Sequence, residues 1–198
     1  IIHGEPAFYH MYSEKRLTWN GITQQNRNGL LWEKSLHVEG LETGHTSGAG
    51  FNLIASSVDG QRRLIAVIMG ADSPKGREDQ ARKLLHWGQD NFDTVQILHK
   101  GKKVGSERIW YGDKEKMDVG TDEDFWLTLP KAELPNIKAR YVMDNKNLEA
   151  PMAAHQRVGE IQLYDRDKVV AHWPLVTLND VGKGGMFSRL SDYFHHKA

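Results

Sequence analysis

The chain has 198 residues, of which 39% are hydrophobic and 26% charged, and its 26 basic residues equal its 26 acidic residues in number. Without net positive charge there is no long-range field to attract nucleic acid, and no apolar run approaches the roughly 20 residues that a membrane-spanning helix needs. Cysteine is absent, which excludes thiol catalysis, disulfides and thiolate metal sites. We therefore expect no nucleic-acid partner, no metal and no cofactor.

The first half of the chain contains several strand signals. In "QQNRNGLLW", Asn28-Gly29 predicts a turn before an apolar run, and "VEGLETGHTSGAGF", residues 38–51, is typical of a strand that ends in a glycine-rich turn. The apolar runs "FNLIASSV" and "RRLIAVIMG" flank Asp59-Gly60, which predicts a β-hairpin. Because both runs are hydrophobic almost throughout, they favour strands covered on both faces.

An amphipathic helix follows in "KGREDQARKLLHWGQDNF", with acidic residues near its start. It is expected to run from about Gly76 to Asn91. It should cover one antiparallel sheet made of the strands around Glu42, 51–58 and 63–69. The apolar positions that recur at helical spacing are Ala81, Leu84, Leu85, Gly88 and Phe92.

The pattern changes after about Phe92, and we place a domain boundary near residues 92–95. Short apolar runs such as "TVQILHK", "IKARYVM" and "VVAHWPLV" alternate with Gly, Pro, Asp and Asn, which is typical of an all-β sandwich. Three glycines at positions 182, 184 and 185 precede the tail "MFSRLSDYFHHKA". The tail places five side chains on one helical face: Met186, Phe187, Leu190, Tyr193 and Phe194.

The chemical motif of interest is Glu42-Thr43-Gly44. Serine enzymes that recognise penicillin combine S-x-x-K, which carries the nucleophile, with S-x-N and with K-T-G on a strand beside the site. No serine from Ser13 to Ser191 begins an S-x-x-K or an S-x-N. Only the third motif has a counterpart here, with Glu in place of Lys. Standing alone, it would indicate a turn at a strand end.

Longer stretches carry a more specific signal. "TWNGITQQNRNGLLW", "VEGLETGHTSGAGFNLIAS" and "RRLIAVIMGADSPKGRE" closely resemble the low-molecular-mass penicillin-binding proteins of the D-alanyl-D-alanine carboxypeptidase family. The resemblance continues through "WGQDNFDTVQILHKGKKVGSERIWYGD" and the ending "MFSRLSDYFHHKA". It therefore covers essentially all of the chain.

This resemblance implies an α+β fold in three parts. Residues 1–93 would be the C-terminal part of a penicillin-recognising, transpeptidase-like domain, residues 94–183 a β-rich domain, and residues 184–198 an amphipathic tail that contacts the membrane. The N-terminal portion of the family, with its targeting signal and the S-x-x-K and S-x-N motifs, has no counterpart in these residues. Because that portion would cover the sheet, we expect the chain to expose an apolar face.

The family activity is removal of the terminal D-alanine from peptidoglycan pentapeptides in the bacterial periplasm, through an acyl-enzyme on serine. The resemblance implies peptidoglycan stem peptides and β-lactams as ligands, and a peripheral location on the inner membrane. Without a nucleophile motif, the 198 residues are expected to be inactive by themselves. A non-catalytic, membrane-associated binding or scaffolding module is the alternative. A β-lactamase-like hydrolase is disfavoured because no deacylating carboxylate can be assigned.

Five further residues are matched to the family's substrate site. Thr43, Gly44 and His45 correspond to the K-T-G-H strand, whose edge backbone lies along the substrate, and Arg27 and Arg77 correspond to arginines near the site. Structural interpretations remain open for three of them. Arg27 could be a turn residue paired with a carboxylate, Arg77 a helix-start residue in a charged cluster, and His45 a strand-end histidine bonded to backbone.

Glu42 is the departure from the family pattern. The family's lysine attracts the substrate carboxylate, and two unit charges about 4 Å apart interact by roughly 4 kcal/mol at an effective dielectric constant near 20. Replacing attraction by repulsion is therefore expected to slow acylation by orders of magnitude.

The tail allows two interpretations. Its apolar face could lie in the membrane interface with Arg189 and Lys197 near anionic headgroups, or the helix could dock on its own β domain. The adjacent His195 and His196 point about 100° apart on a helix, so we expect them to face solvent or headgroups and not to act as a metal pair.

Overall fold

Three antiparallel strands and one long helix form the core of the first half of the chain. The computed structural model describes residues 1–196 and divides into two compact units, Ile1–Thr94 and the residues from Val95 onward. The helices are α1 (Pro6–Tyr9), α2 (Pro74–Asn91) and α3 (Met186–His196). The strands are β1 (Arg16–Trp19), β2 (Ile22–Gln25), β3 (Val38–Thr46), β4 (Gly50–Asp59), β5 (Arg62–Ala71), β6 (Phe92–Leu98), β7 (Lys103–Trp110), β8 (Lys116–Gly120), β9 (Phe125–Pro130), β10 (Ile137–Met143), β11 (Leu148–Glu149), β12 (Arg157–Asp165) and β13 (Lys168–Thr177).

The predicted hairpin and sheet are confirmed. β4 and β5 are joined at Asp59 and Gly60, where Gly60 adopts a φ of 60°, and the sheet order is β3-β4-β5 with both pairs antiparallel. The predicted helix is also confirmed, but it begins at Pro74. Ser73 caps it by accepting a hydrogen bond from the Gly76 amide, and a proline in the first turn loses no helical hydrogen bond.

One face of the sheet is buried among Leu53, Ala55, Ala66 and Ile68, in the same apolar cluster as two residues of α2, Ala81 and Leu85. Gly88 is also buried, and an added Cβ there would lie 2.9 Å from Leu64. Two of the apolar positions predicted for the helix do not pack against the sheet as part of α2. Leu84 is exposed, and Phe92 begins β6, because its backbone is already extended.

The opposite face of the sheet carries exposed apolar side chains. They alternate with the buried residues, as strand geometry requires, and Met69 is 79% exposed. The expectation of an exposed apolar face is therefore confirmed, whereas coverage on both faces is not found within residues 1–196. The side chains on this face are Ile54, Ile65, Val67 and Met69.

The segment before β3 contains the predicted turn, in the form of one turn of 3-10 helix. The Asn28-Gly29 turn begins a 3-10 helix, Gly29–Trp32, because the Asn28 side chain accepts a hydrogen bond from the Leu30 amide. Leu30 and Leu31 then enter the core. A hairpin that the sequence analysis did not predict turns at Asn20-Gly21 between β1 and β2, neither of which has a buried residue.

The second unit is built almost entirely from strands. Its larger sheet has the order β10-β12-β13-β8-β7-β11, and β6 pairs with β9 in a second, two-stranded sheet. The predicted β-rich character is confirmed for the apolar runs of the sequence, and two short strands, β8 and β11, are additional. The core contains Ile109, Met117, Val119, Ile161 and Leu175.

The helix α3 closes the described part of the chain, and the predicted Lys197 contact lies outside the described residues. Among residues 1–196, no helix combines the length and the hydropathy that crossing a membrane would require.

Candidate functional site

The predicted site residues lie on and around β3. This strand pairs with β4 on one side and is an edge strand of its sheet within the described chain. Its register places Glu42 opposite Ile54, Thr43 opposite Leu53, and Gly44 opposite Asn52. Because side chains alternate along a strand, Glu42 lies on the exposed face of the sheet and Thr43 on the face that packs against α2.

Glu42 is exposed, and its Oε1 accepts a hydrogen bond from the Thr43 amide at 3.0 Å. The carboxylate therefore stands beside the backbone of the motif, on the side of the sheet that carries Ile54. A negative charge at this position acts on any ligand that binds along this part of β3, because the Coulomb interaction strengthens as the separation falls.

Thr43 is buried, whereas His45 is exposed at the end of the strand. The imidazole of His45 stacks on Phe51 with ring centroids 4.0 Å apart and an interplanar angle of 24°. His45 is thus oriented by a ring contact with its partner residue across the β3–β4 pair. Phe51 was not predicted as a site residue from the sequence, although a tight turn between β3 and β4 places it opposite His45.

Arg77 connects α2 to the site strand. Its side chain is almost fully buried, with the residue 5% exposed, and it donates to the carbonyl oxygens of Gly44 at 3.5 Å and Asn52 at 3.3 Å. A third bond goes to the carbonyl of Arg27 at 3.1 Å. One guanidinium therefore holds three separate backbone segments, which the fork of five donors in an arginine allows.

The structure thus brings Arg77, Gly44 and the backbone of Arg27 together, while the Arg27 side chain is exposed. Asn52 is a further residue of this cluster that the sequence did not identify. Its side chain accepts from the Gly70 amide at 2.9 Å and donates to the Gly50 carbonyl. The sequence feature that could have identified Asn52 is a polar amide side chain inside the otherwise largely apolar run "FNLIAS".

The predicted membrane residues lie on α3. Met186 is 81% exposed and Tyr193 is 46% exposed. The side chains of Phe187, Leu190 and Phe194 lie outside the described part of the structure.

Two protein-family models match the chain. A model described as "D-alanyl-D-alanine carboxypeptidase" matches residues 1–73, and one described as "Penicillin-binding protein 5, C-terminal domain" matches residues 92–183. The chain belongs to the D-alanyl-D-alanine carboxypeptidase family of low-molecular-mass penicillin-binding proteins. The resemblance inferred from the sequence motifs is thereby confirmed.

Within this family, the chain is 80% identical over 198 residues to the D-alanyl-D-alanine carboxypeptidase DacD of Salmonella typhimurium, matching all of this chain and 51% of the relative. It is 44% identical over 200 residues to the carboxypeptidase DacA of Escherichia coli, covering 99% of this chain and 50% of the relative. The chain therefore spans about half the length of these relatives.

Solved structures agree with this assignment. Penicillin-binding protein 5 from Haemophilus influenzae superposes with a TM-score of 0.78 at 45% identity, covering 92% of this chain and 54% of the other. Penicillin-binding protein 6B from Escherichia coli gives a TM-score of 0.62 at 66% identity over 89% of this chain and 46% of the other.

Proposed function

We propose that these residues form the C-terminal half of a serine-type D-alanyl-D-alanine carboxypeptidase that trims peptidoglycan pentapeptides in the periplasm. The observation that carries the proposal is the edge position of β3. An extended peptide can bind beside an edge strand through main-chain hydrogen bonds. Thr43, Gly44 and His45 stand where such a peptide, or a β-lactam that imitates it, would lie.

The rigidity of this strand supports the proposal. Arg77 donates to the Gly44 carbonyl from the α2 side of the sheet, and His45 packs on Phe51. A binding edge that is held in this way loses little conformational entropy when a ligand is added. The backbone of β3 is therefore suited to positioning a substrate for a nucleophile supplied from elsewhere.

The 198 residues are not expected to catalyse the reaction by themselves. Acylation needs a serine with a base within hydrogen-bond reach, and no serine here is followed by lysine three residues later. Backbone donors and positioning groups can only assist an attack that another group makes. Glu42 adds a second obstacle, because its carboxylate would repel the carboxylate of the substrate.

Labelling with a fluorescent penicillin, followed by denaturing electrophoresis, tests both the expected inactivity of the chain and the effect of the Glu42 charge. The chain alone should show no covalent band. A chimera with the N-terminal half of a family member placed before Ile1 should label weakly, and the same chimera carrying Glu42→Lys should label at least tenfold faster, since reversing the charge changes the interaction by several kcal/mol.

A second acidic residue of the same strand supplies the matched control. Glu39 pairs with Arg63, so Glu39→Lys should not increase labelling of the chimera. A covalent band from the chain alone would overturn the expected inactivity. Equal labelling of the chimera with and without Glu42→Lys would overturn the role assigned to the charge.

Membrane association through α3 is the second part of the proposed function. Met186 offers an apolar surface to the interface, and the exposed Arg189 is available to anionic headgroups. We place the protein peripherally on the periplasmic face of the inner membrane.

A further inference from the structure

Among the described side chains of α3, Asp192 makes two hydrogen bonds to the strand side of the second unit. Its Oδ1 accepts a hydrogen bond from Arg108 Nη2 at 2.9 Å, and its Oδ2 accepts one from the Tyr111 amide at 2.8 Å. The Asp192 side chain is only 15% exposed. Both oxygens of one carboxylate are thus bound to the end of β7 and the residue after it. We refer to these two hydrogen bonds as the Asp192 contact.

The partner groups of the Asp192 contact are held in place by the second unit. Tyr111 has a left-handed φ of 61°, and its carbonyl accepts from the Gly184 amide at 2.8 Å. The two backbone polar groups of Tyr111 therefore bind both the segment before α3 and the helix itself. The Arg108 guanidinium lies 4.4 Å from the ring centroid of Trp110, a cation–π contact that fixes its direction.

The Asp192 contact determines which side of α3 faces outward. At 100° per residue, position 193 lies about 100° from Asp192 around the helix, position 186 about 120° and position 190 about 160°. The apolar positions are therefore centred on the side opposite Asp192. The high exposure of Met186 agrees with this orientation.

Charge points to the same arrangement. Asp192 is the only acidic residue in the sequence from Met186 to Ala198. An anionic lipid surface attracts basic residues and repels an acidic one, at about 1 kcal/mol per charge near the surface. Pairing with Arg108 turns this carboxylate away from the outward side and leaves Arg189 exposed.

We propose that Asp192 is a positioning residue that presents the apolar face of α3 to an anionic lipid surface. The inference rests on the membrane association proposed above and specifies the interaction surface. When the Asp192 contact is broken, the apolar residues of α3 can still reach a bilayer. The helix is then no longer fixed in its rotation about its own axis relative to the strands of the second unit. The helix would then lie in the membrane without a fixed orientation of the β-rich domain above it.

The absence of cysteine allows unique spin labels. The first measurement uses labels at Lys168→Cys on β13 and Ser191→Cys on α3, without lipid, and records their distance distribution by pulsed EPR. The native background should give a narrow distribution and Asp192→Arg a broad one. The ratio of undocked to docked helix should rise about tenfold or more, as expected when a charge-assisted hydrogen bond becomes a like-charge contact.

The second measurement compares oxygen accessibility of single labels at Met186→Cys and Ser191→Cys on vesicles containing phosphatidylglycerol. In the native background the Met186 label should be oxygen-accessible and the Ser191 label should remain in water. Asp192→Arg should reduce this difference. The exchanged pair Asp192→Arg with Arg108→Asp should recover part of the difference and part of the narrowing of the distance distribution, because the ion pair forms again while the Tyr111 amide lacks its acceptor.

Glu123 is exposed between β8 and β9 and is remote in sequence from both labels. Glu123→Arg reverses its charge, is the matched control and should change neither readout. A narrow distribution in Asp192→Arg, or a distribution in the exchanged pair as broad as in Asp192→Arg alone, would overturn the positioning role. Failure of the native chain to sediment with these vesicles would overturn the membrane association instead, so the two ideas fail by different results.

Discussion

Arg77 shows how a single residue can organise the backbone of a site. Its guanidinium bonds to the carbonyls of Gly44, Asn52 and Arg27, and these lie in β3, in β4 and in the loop before the 3-10 helix. Both the functional and the structural interpretation of Arg77 were open from the sequence. The contacts support a positioning role, in which the arginine sets the path of the strand that would bind the substrate.

We predict that Arg77→Ala lowers the free energy of unfolding of the first unit by about 3 kcal/mol, because three partly buried carbonyls lose a charged donor. Arg77→Lys should recover only part of this loss, since an ammonium cannot reach three carbonyls in fork geometry. Hydrogen exchange of the amides in residues 43–53 should accelerate strongly in the alanine variant.

The control for this experiment is Lys83→Ala, an exposed residue on the same helix. It should leave the exchange of residues 43–53 unchanged. Unchanged exchange in Arg77→Ala as well would show that Arg77 does not hold β3 in place.

At the scale of the elements, turn chemistry predicted some connections and missed others. Asp59-Gly60 forms the predicted hairpin and Asn28-Gly29 the predicted turn, as the start of a 3-10 helix, whereas Asn20-Gly21 forms a hairpin that was not predicted. An Asn-Gly pair favours a turn locally, but the packing of the next few residues decides its type. Leu30 and Leu31 become buried, so the chain coils to place both in the core.

For α3, we predict that a chain ending at Lys183 loses most of its sedimentation with anionic vesicles. Full burial of a side chain such as Met186 contributes roughly 1.5–3 kcal/mol. Removal of the whole helix should therefore reduce vesicle partitioning by more than tenfold, a factor that corresponds to about 1.4 kcal/mol.

Val142→Ser removes an exposed apolar side chain from β10 and serves as the control. It should sediment like the unchanged chain. If the chain ending at Lys183 pelleted as well as the full chain, α3 would not be the anchor.

At the scale of the whole molecule, the two units differ in how their strands are covered. The second unit buries Ile109, Met117 and Leu175 within its own strands. The first unit leaves one face of its sheet apolar and exposed, and its β1–β2 hairpin has no buried residue. Exposed apolar surface contributes nothing to folding free energy, so the first unit should open more readily than the second.

We therefore expect limited trypsin digestion to remove residues before about Phe92 faster than it cleaves the β-rich unit. A time course followed by mass spectrometry identifies the order of cleavage. Digestion of the urea-unfolded chain is the control for intrinsic differences between cleavage sites. Equal resistance of the two regions in the native chain would contradict the expectation that the first unit is the less stable one.

Local patterns along the chain were sufficient to predict the hairpin at Asp59-Gly60, the helix over 76–91, the strand-rich second half and the family. These features depend on turn chemistry, on hydrophobic periodicity and on long matching segments, all of which can be recognised without knowing the fold. Two strands were not predicted in this way. β8 carries a charged residue within its run, and β11 has only two residues, Leu148 and Glu149.

The partners of individual side chains became known only from the folded chain. Arg77 and Arg27 are separated by 50 positions, and Asp192 and Arg108 by 84, so no local pattern could pair them. A strand's periodicity likewise predicts two faces but does not say which one α2 covers. The packing of α2 onto Leu53 and Ile68 buried one face and left Glu42 on the other, because a helix can satisfy the apolar surface of only one side of a sheet.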